Sequence, residues 1–248
     1  MLDAFLKTPL AHRTLHDVRA GRPENSLIGT RAAIEAGYGI EVDLQLSSDG
    51  VPMVFHDDYL QRLTRHFGPV REHTAAELGA MRLTHGDECI PTFAALLDLV
   101  AGRVPVLVEI KDQDGALGPN TGDMEQAACD VLAGYQGPLA LMSFNPHSIA
   151  KCAEFAPDVP RGLVTDPFWA ADWPDVPAER LAELARIPDY GRIGATFISH
   201  NVKDLHSPVV ADLVAQGCKL LCWTVRSPEV EAEARKLAQN ITFEGYLA

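Results

Sequence analysis

Basic residues are scarce in this sequence: 21 Lys and Arg stand against 34 Asp and Glu, a formal charge of −13. A polyanion such as DNA or RNA binds through an excess of positive charge, so the balance argues against a nucleic-acid partner and against stable association with an anionic membrane surface. It leaves room for a small anion at a local positive site. Cysteines are few as well. Cys89, Cys129, Cys152, Cys218 and Cys222 are odd in number and contain no CxxC pair, which argues against a disulfide framework or a zinc site and for reduced thiols in a cytoplasmic protein. No apolar run approaches the length of a membrane span, and the opening MLDAFLKTPL lacks the apolar core of a secretory signal. Aromatics are sparse, and no internal repeat or low-complexity tract is visible. An apolar content of 47% still supplies a large core for 248 residues.

Strand-like and helix-like segments alternate along the chain. Apolar strands are predicted at 8–13, 39–46, 51–56, 104–111, 138–145, 161–166, 195–201, 219–225 and 241–247. Helical patterns intervene at 24–37, 92–102, 123–137, 207–217 and 227–240, the last two opening on Ser-Pro and closing on Gly or Asn. With 51–56 taken as a hairpin partner of the second strand, eight strands remain. This predicts an α/β fold, a closed (β/α)8 TIM barrel formed by a single domain over 1–248. The polar, irregular stretch 57–90 breaks the alternation and reads as a small insertion after the second strand, too small for a second domain with a core of its own. The chain ends directly after the eighth strand, so the last helix is expected to be truncated or missing. The outer side of the first and eighth strands would then lie bare, which predicts a homo-oligomer or cover from MLDAFL.

The predicted strands share one feature: each ends, on its C-terminal side, in groups capable of chemistry. These are His12-Arg13, Glu41 and Asp43, His56, Glu109 and Lys111, Ser143 and Asn145, His200 and Trp223. Barrel enzymes build their sites from that rim. Glu41 and Asp43 are two residues apart on one strand and therefore share a face, about 6–7 Å from one another. Together with Glu109 they make an all-oxygen donor set suited to one divalent cation, Mg²⁺ or Ca²⁺. His12 and His56 are the candidate acid/base pair, since imidazole titrates nearest neutrality. Arg13 and Lys111 can cradle a phosphate. Asp57 adjoins His56 and could orient it, although neighbouring strand residues point to opposite faces.

As an ordered set, AHR, RPENSL, EVD, DGVPMVFHD, VLVEIK, SFN and CWTV resemble the glycerophosphodiester phosphodiesterase family of (β/α)8-barrel enzymes, most densely over 11–64. The resemblance implies metal-dependent hydrolysis of small glycerophosphodiesters to sn-glycerol 3-phosphate and an alcohol. By that likeness His12 and His56 are the acid and base, Glu41, Asp43 and Glu109 the metal ligands, and Arg13 and Lys111 phosphate contacts. Trp223 would line the glycerol side; His200, an imidazole the likeness does not lead one to expect, is a candidate substrate contact or pocket-wall residue. Rival readings are a barrel acting on lysophospholipids or sphingomyelin, and a barrel that only binds a phosphodiester. Two departures stand out: Thr14 where the family usually has Gly, and FEGYLA where it usually has an acidic turn and a further helix.

Overall fold

The computed structural model describes residues 2–248. Eight parallel strands close into a barrel: β1 (Leu10–Ala11), β2 (Gly39–Leu46), β4 (Val106–Ile110), β5 (Leu139–Ser143), β6 (Arg161–Thr165), β7 (Phe197–Asn201), β8 (Lys219–Val225) and β9 (Asn240–Phe243), with β9 pairing back onto β1. The short β3 (Pro52–Val54) runs antiparallel beside β2 as a hairpin arm. The helices are α1 (Leu27–Ala36), α2 (Ala75–Leu78), α3 (Phe93–Val100), α4 (Asp123–Leu132), α5 (Pro146–Phe155), α6 (Ala178–Leu184), α7 (Pro208–Ala215) and α8 (Pro228–Ala234).

Both faces of each strand are buried, which is why the strands read as continuous apolar runs rather than as alternating ones. Outward residues such as Ile40, Val42, Val106, Val108 and Ile110 join the large cluster beneath the helices. Inward residues Leu10, Leu107, Ala140, Phe197 and Leu221 fill the barrel's lower half. Gly162 makes room for one of them, because a Cβ there would stand 2.4 Å from the Phe197 ring. Asn145 explains a helix the sequence reading did not include: its side chain accepts from His147 N and caps α5, with Pro146 in the first turn.

The N-terminal segment does not cover the outer side of the barrel as expected. Met1 lies outside the described residues, and Leu2–Leu6 forms a 3-10 turn at the bottom of the barrel. Phe5 is fully buried there among Leu10, Leu107 and Phe197, a burial that contributes about 1.5–3 kcal/mol. Asn240 Nδ2 holds the segment by donating to the carbonyls of Phe5 and Thr8. No helix follows β9 among the described residues, in line with the expected missing helix. Instead Tyr246 packs against Phe243 and donates to Glu231 of α8, while the Tyr38 hydroxyl donates to Ala248 O. The tail thus covers the strip between α1 and α8.

The stretch 57–90 contains α2 and two 3-10 turns over an apolar cluster that includes Leu60, Val70, Leu78 and Ile90. Met53 and Phe55 of the hairpin arm complete that cluster, so the insertion packs as an extension of the β2–β3 hairpin.

Candidate active site

Inward parity brings the rim residues together. Asp43 and Glu109 are direct partners in the β2–β4 register, and Glu41 lies two residues before Asp43 on the same face. One carboxylate oxygen from each of the three lies within 4.8 Å of the others, and all three residues are buried. Lys111 Nζ donates to Asp43 at 2.9 Å and Glu109 at 2.6 Å. Asn25 of the PEN string donates to the second Asp43 oxygen at 2.9 Å, and Arg13 N donates to Glu41 at 2.9 Å.

The charges divide unevenly over this cluster. Burial would push Asp43 up, yet Lys111, His56 and Arg13 together hold it well below the usual carboxylate range. Burial, Asp43 and Glu109 push Glu41 well above it. Lys111 is raised by Asp43 and Glu109 in spite of its burial. Two cations face three carboxylates, and the surplus falls on Glu41. A buried, all-oxygen donor set short of positive charge fits a hard divalent ion.

The two histidines have matching settings. His12, just past β1, donates from Nδ1 to Glu244 at 2.5 Å, and Glu244 accepts from Arg226 Nε at 2.7 Å. His56 donates from Nδ1 to Asp57 at 2.7 Å, and Asp57 is gripped by Arg62 at 2.6 Å. Each carboxylate fixes the tautomer that leaves Nε2 free for proton transfer. Burial lowers His12, partly offset by the Glu244 hydrogen bond. Burial opposes ionisation of Glu244 and Asp57, but their histidine and arginine partners hold both well below the usual range.

The Asp57 pairing realises the orienting role open to it from sequence, in spite of strand alternation. β3 ends at Val54, so residues 56 and 57 lie in a bend where strand alternation no longer applies. Arg62 also makes two 2.9 Å bonds to Glu24, which accepts from Arg13 as well, so the insertion is tied directly to the rim. Arg13 is left with a buried Nε that has no hydrogen-bond partner among the described residues.

His200 does not join the site. Phe197 faces the barrel interior, so His200, three residues on, faces outward; Thr165 meets its Nδ1 at 2.8 Å and Asp204 its Nε2 at 3.2 Å. Trp223 does face inward, with Nε1 donating to Ser199 O and its ring edge-on to Phe144 at 5.6 Å. Ser143 and Asn145 serve the frame: Ser143 donates to Ile110 O, and Asn145 donates to Asp112. Glu244, Arg62, Glu24 and Arg226 were not singled out from sequence. Glu24 lay inside the quoted PEN string, whereas Glu244 is 232 positions from its partner and carries no local signal.

Thr14 has φ of +73°, in the left-handed region that favours glycine. Its side chain fits because Gly29 of α1 has none: a Cβ at Gly29 would come 2.2 Å from Thr14 Oγ1.

Residues 12–242 match the model of the "Glycerophosphoryl diester phosphodiesterase family". A glycerophosphodiester phosphodiesterase of Caldanaerobacter subterraneus is 30% identical over 217 residues, covering 84% of this chain and 82% of the relative. Another from Bacillus subtilis is 27% identical, covering 82% and 77%. Among solved structures, an Oleispira antarctica phosphodiesterase in complex with sn-glycerol-3-phosphate aligns with a TM-score of 0.77 at 22% identity, over 97% of this chain and 94% of that one. At that identity the structural likeness speaks to the fold.

Proposed function

The chain is an enzyme of the glycerophosphoryl diester phosphodiesterase family, and from that premise we propose that it hydrolyses small glycerophosphodiesters to sn-glycerol 3-phosphate and an alcohol, using one divalent cation. The observation that carries this reading is the convergence of Glu41, Asp43 and Glu109, beside a rim that also carries two histidines with Nδ1 held by a carboxylate and no Nε2 partner among the described residues. The three carboxylates would hold Mg²⁺ or Ca²⁺. Bound there, the ion supplies electrophilic withdrawal of charge from a phosphoryl oxygen.

The remaining roles belong to the chain's own groups. Arg13, whose Nε lies 3.6 Å from Asp43 without a hydrogen bond, and Lys111 bind the phosphate anion. One of His12 and His56 removes the proton from the attacking water, or from the glycerol 2-hydroxyl with a cyclic phosphate formed and then opened by water, and the other protonates the departing alkoxide. Glu244 and Asp57 stabilise whichever imidazole is protonated. Trp223, behind Phe144, shapes the glycerol side.

Residues 1–248 are read as one domain. The five free thiols support a cytoplasmic location, and no helix among the described residues is long and apolar enough to cross a membrane. A homo-oligomer would pair through the strip beside Leu247, which is 72% exposed; light scattering decides it.

The test of function is release of sn-glycerol 3-phosphate from glycerophosphocholine. Chelator should abolish it, Mg²⁺ or Ca²⁺ should restore it, and Glu41→Gln and Asp43→Asn should be inactive. Full activity in excess chelator after dialysis overturns metal dependence. Faster turnover of a lysophospholipid or a dinucleotide overturns the substrate assignment.

A further inference from the structure

A cavity of about 660 Å³ opens beside His56, Glu109 and Lys111. Its far wall comes from the loop between β6 and α6 and from the end of β5. That volume lies within the range of pockets that bury whole small ligands, and it exceeds what a phosphate alone fills.

The wall carries two kinds of group. Phe144 and Trp173 meet edge to face at 4.9 Å, and Trp173 is pinned by Phe168 and by its Nε1 contact to Asp166 at 3.4 Å. The second kind is acidic: Asp58, Asp172 and Asp175 line the same space. The cavity's cations are already committed, Lys111 to Asp43 and Glu109, and Arg62 to Asp57 and Glu24. None of the three aspartates forms an ion pair with a cationic side chain among the described residues. A rigid aromatic wall beside unneutralised carboxylates attracts an organic cation, through the ring faces and through charge. A neutral alcohol gains neither contact, and an anionic one is repelled.

We infer that this cavity is a subsite for the alcohol half of the substrate and that it selects an ammonium-bearing head group. Phosphate sits at Lys111 and Arg13, and the head group reaches across to Trp173, Asp172 and Asp175. The inference rests on the phosphodiesterase reading and adds the substrate class to it. Neither Asp172 nor Asp175 belongs to the carboxylate cluster, and both are exposed, so changing them leaves the barrel packing intact.

The experiment compares kcat/KM for glycerophosphocholine, glycerophosphoethanolamine and glycerophosphoglycerol, all read as sn-glycerol 3-phosphate released by the metal-loaded protein. The two diesters with an ammonium head group should be favoured over glycerophosphoglycerol, whose head group is uncharged, by about tenfold, the size of one exposed cation–π contact plus two exposed charges. That preference should shrink as salt is raised. In the Asp172→Asn/Asp175→Asn variant, and separately in Trp173→Leu, the ratio should fall toward one, mainly through KM of the choline diester. Equal kcat/KM for all three diesters, or a ratio unmoved in the aspartate variant, overturns the subsite while leaving the phosphodiesterase reading in place. Release of product from none of the three overturns both.

Discussion

Replacing Glu244 by Gln keeps the shape of the side chain and removes its charge, which isolates what the carboxylate does for His12. The 2.5 Å contact from His12 Nδ1 is a hydrogen bond to an ion, between side chains only 13% and 19% exposed. Bonds of that kind contribute about 1.5–3 kcal/mol when one partner is charged. Glu244 raises the His12 pKa against the lowering effect of burial. Without the charge the imidazolium loses its stabilisation and the His12 pKa falls further. Whether His12 acts as base or as acid, the limb of the pH–rate profile that it controls should therefore move acidward. At the optimum a step that passes through the imidazolium should slow by about ten- to a hundredfold. Glu244 does not face the phosphate contacts, so the loss should appear in kcat with KM little changed, and Glu244→Asp should recover part of it. The assay is glycerophosphocholine hydrolysis from pH 5 to 9 at saturating metal, with thermal melting to check the fold. A kcat within twofold of wild type and an unmoved profile would refute the reasoning.

His12→Ala and His56→Ala should each lower kcat by about 10²–10⁴ in steady-state assays while melting near wild type. Asp57 and Glu244 are depressed in the fold, so their stabilisation is present above the unfolded carboxyl pKa near 4 and is lost as pH falls through their folded values; melts in chelator should drop steeply below about pH 4. Glu41 has the opposite sign: raised in the fold, its contribution is present below the unfolded pKa and is lost as pH rises through the folded one, so Glu41→Gln should raise the melting temperature of metal-free protein at pH 8 and not at pH 4. A lower melting temperature for that variant at pH 8 would contradict the charge-surplus argument. Gly29→Ala should destabilise by about 1–3 kcal/mol through its clash with Thr14. In a Thr14→Gly background the same change should cost clearly less in denaturant melts, because the clash with Thr14 is gone and only a tight 3.2 Å approach to Ser26 Oγ opposes the gain in helix propensity.

The sequence by itself determined the alternation of strands and helices, the doubly buried character of the strands and the crowding of chemistry-bearing residues at their C-terminal ends. These are local properties. Apolar period, helix caps such as Ser26 and Ser227, and the i, i+2 spacing of Glu41 and Asp43 all operate within a few residues of chain. Tertiary structure alone decided the pairings between distant segments. The β2–β4 register sets Asp43 opposite Glu109, closure of β9 onto β1 brings Glu244 to His12, and the insertion folds back so that Arg62 can join Asp57 to Glu24. It also sent the N-terminal turn into the barrel floor and gave the strip between α1 and α8 to Tyr246. The reason is physical: periodicity specifies how a segment buries its own faces, whereas ring closure and strand register are set by packing summed over the whole barrel, which no single stretch of sequence contains.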